Sequence, residues 1–217
     1  IVIASNPGIP ALSDLRGQFP HVEFVEAATI AQQIAAAVQA DALLGHFCAE
    51  AIQAARGARW IHCPGAGLDE LAAIPGLSES RIGVTNSPDC HAEPMADHAM
   101  AMILTFAHRL HEMWRDQQLR RWDQMRYDGR MMDLNGSTMG LLGVGAIGRA
   151  VARRAAAFGM TVYGVASRAA RAPEGMKAVW PPERLDDLLG ISDWLVVSAP
   201  LTPQTRGLIS RDKLECL

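Results

Sequence analysis

A chain of 217 residues, 49% hydrophobic and 20% charged, can bury a large core in one or two domains. Its net charge of −3 at pH 7 leaves no basic footprint for nucleic acid or for an anionic membrane surface. No apolar run approaches membrane-spanning length and no secretion signal is visible; Cys48, Cys63, Cys90 and Cys216 have no CxxC spacing and fit no zinc pattern, so they are expected as buried, reduced thiols of a cytoplasmic protein without a metal site.

The first residue, Ile1, already lies inside a strand-like run, 1–4, so the natural amino terminus is expected upstream of it. Asn6-Pro7-Gly8 breaks that strand, and a second is predicted at 22–25. Residues 28–39 are alanine-rich, with Ile30 and Ile34 on one face of a helix. Strand 42–45, helix 49–55, strand 60–63, a short helix from about Leu68-Asp69 and strand 81–85 follow. Alternating strands and helices without hairpin signals predict an α/β domain with a covered parallel sheet. Residues 93–118 keep helical spacing through Met95, Ala96, Ala99, Met102, Ile103, Phe106 and Leu110, and predict one long helix, with Met95, Met100 and Met102 read as core filler. Residues 115–135 are rich in Arg, Asp, Gln and Met and predict an exposed arm, after which a strand opens at Ser137.

Residues 139–142 are mostly apolar and run into Gly143-Val144-Gly145-Ala146-Ile147-Gly148; a helical pattern follows to Phe158 and a second strand occupies 160–165. Strand, glycine turn, helix and strand together form a dinucleotide-binding fingerprint. Gly143 permits the tight turn, Gly145 the approach of a pyrophosphate and Gly148 close helix–strand packing, while the N–H groups of Ala146 and Ile147 face the phosphates. Beyond it lie a loop at 168–174, a short strand at Val179-Trp180, a helix at 182–189, a buried strand at 194–198 and the start of a helix at 211–217. A doubly wound nucleotide domain has two halves, and only the first and part of the second are expected within this sequence.

An acidic residue about twenty positions after the glycines reads the ribose hydroxyls of NAD. Here the second strand ends in Ala166-Ser167-Arg168, without an acid. Ser167 as a hydroxyl donor and Arg168 as a charged fork suit a 2′-phosphate, which favours NADP; NAD in a permissive site is the alternative.

Four segments, WIHCPGAGLD at 60–69, residues 86–110 with the core Pro94-Met95-Ala96-Asp97-His98, the glycine turn, and APLTPQTR at 199–206, make the chain resemble the D-isomer-specific 2-hydroxyacid dehydrogenase family. The resemblance implies a flavodoxin-like substrate domain at 1–92, followed at 93–217 by a connecting helix, an arm and a Rossmann domain incomplete at its C-terminus. It implies that Gly65, Ala66 and Gly67 bind the substrate carboxylate through backbone N–H groups and that His91 lines the substrate pocket. Met95, Ala199, Pro200 and Thr205 would border the nicotinamide half of the cofactor. Taken singly, Met95 also reads as core, His91 as a helix-start residue, and Asp97 as a structural hydrogen-bonding group. The family's substrate-clamping Arg and its His–carboxylate proton donor lie after the helix in which this sequence stops. No catalytic residue is therefore assigned here, and the segment alone is expected to be inactive.

The resemblance implies an NAD(P)-dependent oxidoreductase of small 2-keto and D-2-hydroxy acids, of the glyoxylate or hydroxypyruvate type, forming a homodimer through 93–135. Within enzymes, formate and phosphoglycerate dehydrogenase activities stay open as alternatives, the former with a different substrate loop expected. A non-catalytic, nicotinamide-sensing protein of the corepressor kind is the rival on the same fold.

Overall fold

The computed structural model describes residues 1–7, 12–167 and 171–217. The chain divides between Cys90 and His91 into two compact units.

The first unit alternates strands β1 (Val2–Ser5), β2 (Glu23–Glu26), β3 (Ala42–Leu44), β4 (Trp60–Cys63) and β5 (Gly83–Asn86) with helices α1 (Leu12–Gln18), α2 (Ile30–Gln39), α3 (Ala49–Ala54) and α4 (Asp69–Ala72). All strand pairs are parallel, in the order β2-β1-β3-β4-β5. That order is the one found in flavodoxin-type sheets, and it reverses between β1 and β3. α2 starts where a capping box forms: Thr29 accepts from the Gln32 N–H at 3.2 Å while Gln32 accepts from the Thr29 N–H at 3.1 Å. Leu43 and Ile61, both fully buried, centre the core between the sheet and α2 and α3. Helix α1 is not among the elements the sequence predicts, because seven residues beside a proline carry too few turns for a periodic signal.

The second unit opens with two helices where the sequence predicts one: α5 (Ala92–Ala107) and α6 (Leu110–Gln118). Arg109 adopts φ 54, in the left-handed region, between them. No Gly or Pro marks this break; the segment that returns after the arm imposes it. The Met132 N–H caps the Ala107 carbonyl at 2.9 Å, and Arg109 Nε donates to the Arg130 carbonyl at 3.0 Å. Ala96, Met100, Ile103 and Ala107 form the buried stripe of α5. Met95 and Met102 are each 50% exposed, so Met100 alone of the three fills the core.

The arm is folded rather than merely solvated. Asp116 is buried; it accepts from the Tyr127 hydroxyl at 2.5 Å and from Arg126 at 2.9 Å. Arg130 grips both oxygens of Glu112 at 2.8 and 2.9 Å.

Four parallel strands follow, β6 (Thr138–Leu142), β7 (Thr161–Val165), β8 (Ala178–Trp180) and β9 (Trp194–Val197), in the order β8-β7-β6-β9. Helix α7 (Ala146–Ala157) packs with α5 on one face of this sheet; α8 (Leu185–Ile191) covers the other through the fully buried Leu188 and Leu189. Each of those leucines contributes about 1.5–3 kcal/mol relative to exposure. The last helix, α9 (Arg211–Leu214), is short. Among the described residues no helix is long and apolar enough to cross a membrane. The expectation of four buried thiols fails: Cys63 is buried and Cys48 half-buried, but Cys90 and Cys216 are exposed, since neither lies in a core strand.

An ion-pair cluster ties α5 to α7. Arg153 and Arg154 meet Glu93 at 2.6 and 2.8 Å, and Arg154 also meets Asp97 at 2.7 Å. The hydrogen bond from Arg154 holds the Glu93 carboxyl below the ordinary carboxylate range, with desolvation opposing it. A carboxyl whose pKa falls on folding stabilises the protein above its unfolded value, about 4.3, and loses that contribution as pH drops through the folded value. Arg154→Met is therefore expected to lower the urea midpoint at pH 7 and to flatten its decline below about pH 5. Midpoints measured across that range check it; parallel declines in both proteins would remove this role for the pair.

Candidate cofactor and substrate site

In the second sheet the order of connection reverses between β6 and β9, which opens a crevice at their carboxyl ends. The glycine turn lies there. Gly143 has φ +100, and a Cβ on it would stand 2.6 Å from the Ala199 nitrogen in the loop after β9. A Cβ on Gly148 would stand 2.3 Å from the Gly143 carbonyl oxygen, so α7 can approach β6 only if residue 148 has no side chain.

Gly145 differs from both. It has φ −78 and ψ −160, extended backbone open to any residue, and nothing lies within 4 Å of its Cβ position. Neither conformation nor packing inside the chain requires glycine there, and the backbone is left open to an approaching ligand. As N-cap of the 12-residue α7, Gly145 has no side chain to satisfy the first-turn N–H groups, which include those of Ala146 and Ile147.

Ser198, which no sequence motif singles out, donates to the Gly143 carbonyl at 3.0 Å and braces the turn. Its signal is weak: a small hydroxyl residue at the end of a strand that proves to neighbour β6. The loop beyond is held by paired threonines. Thr205 Oγ1 donates to the Pro200 carbonyl at 2.6 Å and accepts from the Thr202 N–H at 2.8 Å. Thr205 thus shapes the loop that carries Ala199 and Pro200. Ser167 is exposed two residues beyond β7, beside the end of β8, where the Ala166 N–H donates to the Trp180 carbonyl at 3.1 Å. Arg168 lies outside the described residues.

Three of the substrate candidates, Gly65, Ala66 and Gly67, follow β4 at the carboxyl edge of the first sheet. The Gly65 and Ala66 carbonyls are engaged by the Ser87 N–H at 3.3 Å and by Asn86 Nδ2 at 2.8 Å. Among the described residues no protein acceptor meets the N–H groups of Ala66 and Gly67. A loop pinned by its carbonyls with its amides uncommitted is suited to hold an anion. Beside it lies a cavity of about 490 Å³ lined by His46, Phe47, Cys48, Cys63, Gly67 and Asp69, among others. His46 too has no sequence signal, because one histidine in a loop carries no pattern. His91 and Met95 belong to the second unit, His91 at the end of a 3-10 turn and Met95 on the first turn of α5. Among the described residues no three His, Cys, Asp or Glu side chains are grouped to hold a metal ion.

Residues 100–217 match the family model described as D-isomer specific 2-hydroxyacid dehydrogenase, NAD binding domain. The chain belongs to this family. Its second unit carries the family's NAD(P)-binding domain, and the uncapped turn at Gly145 fits a dinucleotide. Among relatives of the 2-hydroxyacid dehydrogenase family, a glyoxylate reductase of Thermococcus gammatolerans is 37% identical over 145 residues, covering 63% of this chain and 42% of the relative. A D-3-phosphoglycerate dehydrogenase of Mycobacterium tuberculosis is 29% identical over 221 residues, covering 99% of this chain and 40% of the relative. The chain thus spans less than half the length of these curated family members. The solved NADPH-dependent glyoxylate/hydroxypyruvate reductase of Sinorhizobium meliloti, in complex with NADP and sulfate, superposes with a TM-score of 0.79 at 26% identity, over all of this chain and 67% of that one.

Proposed function

We propose that the whole protein reduces a small 2-keto acid of the glyoxylate or hydroxypyruvate type, with NADPH preferred over NADH. The observation that carries this reading is the pair of uncommitted amides, Ala66 and Gly67, beside Gly65 in a chain whose other unit binds a dinucleotide. The bound cofactor supplies the hydride. Ala66 and Gly67 hold the substrate carboxylate, and His91 lines the pocket. Ala146 and Ile147 hold the pyrophosphate that approaches over Gly145, between Gly143 and Gly148. Ser167 and Arg168 read the 2′-phosphate. Met95, Ala199, Pro200 and Thr205 border the nicotinamide, with Thr205 acting through the loop it folds. We assign no proton donor within residues 1–217.

The test is a steady-state assay of the full-length protein on glyoxylate, hydroxypyruvate and pyruvate, with NADPH and NADH in parallel. Turnover of the first two with NADPH supports the reading; no turnover of any keto acid overturns it.

The arm supports a homodimer through 93–135. Trp114, Trp122 and Met125 are 63%, 87% and 75% exposed, and Trp114 and Trp122 line a groove of about 800 Å³ on α6 and the arm. Apolar surface of this extent marks an interaction site. Light scattering at micromolar concentration is expected to give a dimer mass, and a monomer mass would remove this part.

A further inference from the structure

We infer that Arg184 is a further reader of the cofactor's 2′-phosphate, donating to it from Nη1 and Nη2 at the end of the neighbouring strand, β8. This rests on the NADPH preference proposed above and goes beyond it, because it adds a specificity-determining cation outside the glycine turn and outside the segment after β7.

Three observations converge on this side chain. The first is its place. β8 runs parallel to β7 with Val165 beside Trp180, and the Ala166 N–H donates to the Trp180 carbonyl at 3.1 Å. The carboxyl ends of the two strands therefore lie side by side, about 4.8 Å apart, as neighbouring strands do. Ser167 leaves one and Pro181 leaves the other. Pro181 and Pro182 turn the chain at once, and the Arg184 N–H closes that turn on the Pro181 carbonyl at 3.1 Å. Residue 184 is thereby held at the sheet edge where the adenosine ribose of a dinucleotide is read.

The second is the fixing of the guanidinium. Its Cζ lies 3.8 Å from the centre of the Trp180 ring. Trp180 is half-buried and is braced from β7 by Tyr163, with ring centroids 5.0 Å apart. Asp187 accepts from Arg184 Nε at 2.7 Å. An arginine gives up much rotamer freedom when it grips an anion, and here the stack and the carboxylate have already removed it.

The third is what that fixing leaves over. The donors of a guanidinium lie in its plane, so a ring against its face takes none of them. Asp187 engages Nε, and among the described residues no acceptor meets Nη1 or Nη2. The side chain is 46% exposed. An exposed pair three residues apart adds little stability by itself; its consequence here is to orient the fork. Two adjacent nitrogens, held in place and open to solvent, match two oxygens of a phosphate.

The experiment titrates 2′,5′-ADP and 5′-AMP by calorimetry into the full-length protein, into Arg184→Met and into Arg184→Lys. The two probes differ only in the 2′-phosphate, and no turnover is needed. The wild type is expected to bind 2′,5′-ADP about a hundredfold more tightly than 5′-AMP. Arg184→Met should cut that ratio about tenfold, the fold-change of one net hydrogen bond between charged groups, and leave the affinity for 5′-AMP unchanged. Arg184→Lys, which keeps the charge without the fork, should fall between the two. An unchanged ratio in Arg184→Met, an equal loss on both probes, or a ratio in Arg184→Lys as low as in Arg184→Met overturns the inference. The second of these outcomes assigns Arg184 to the adenine or to the fold. A wild type that binds both probes equally removes the NADPH reading and this inference with it, whereas a wild-type preference that survives Arg184→Met removes this inference alone.

Discussion

Gly148→Ala is expected to unfold at a lower denaturant concentration and to lose NADPH binding, while Gly145→Ala keeps its stability and loses only the binding. Residue 148 is inside α7, where alanine has a propensity advantage of about 1 kcal/mol over glycine. Against that gain stands a Cβ 2.3 Å from the backbone oxygen of Gly143, and backbone cannot rotate away as a side chain can. Overpacking of this kind costs about 1–3 kcal/mol and sometimes more, so the loss prevails. Relief requires α7 to withdraw from β6, which also moves its first-turn N–H groups. Cofactor affinity should then drop by about a hundredfold or more, equivalent to about 2.7 kcal/mol. At residue 145 the added methyl meets no protein atom within 4 Å and the backbone is ordinary. It projects instead into the space a pyrophosphate would enter. Urea unfolding and NADPH fluorescence titration of both variants check the contrast. Equal stability losses would show that Gly145 has an internal packing role after all, and unchanged affinity in Gly145→Ala would move the phosphates elsewhere.

Ser167→Asp is expected to reverse the proposed cofactor preference of the full-length protein, from NADPH to NADH. The residue stands exposed just beyond β7, where the adenosine ribose of a dinucleotide is read. A carboxylate there accepts from the 2′- and 3′-hydroxyls of NADH but meets the 2′-phosphate of NADPH with like charge. Losing a hydroxyl donor and gaining that repulsion should lower kcat/KM for NADPH by about a hundredfold, or about 2.7 kcal/mol. The repulsive part is screened by salt, so the ratio should narrow as ionic strength rises. Kinetics with both cofactors at low and high salt decide it. An unchanged NADPH-to-NADH ratio would place the ribose away from residue 167.

The two variants test features of different legibility. The glycine turn is local: six residues, the strand before and the helix after carry its whole pattern, so residues 143–148 are legible in the amino-acid sequence alone. The same holds for the capping box at Thr29 and Gln32 and for the β–α alternation behind both sheets. The loop at 65–67 is legible through its resemblance to a family, but its pinned carbonyls become visible only with β5 laid beside β4.

What stays hidden depends on partners distant in sequence. The helix break at Arg109 follows from Arg130 and Met132, more than twenty residues away, and no local breaker announces it. Asp116 reads as one more charge on a solvated arm, yet Tyr127 and Arg126 close over it. Ser198 reaches Gly143 across fifty-five positions, and His46 reaches Cys63 across seventeen.

The α/β class, the order of most elements, the dinucleotide turn and the family can all be read from the residues in chain order. All of these rest on hydrophobic period, turn chemistry and short motifs, which act within a few residues. Which strands adjoin, where each sheet reverses, how the surroundings of Gly145 and Gly148 differ, and which side chains line the cavity beside Gly67 emerge with the folded chain. Those are contacts between segments whose proximity comes from packing, and no local pattern specifies them.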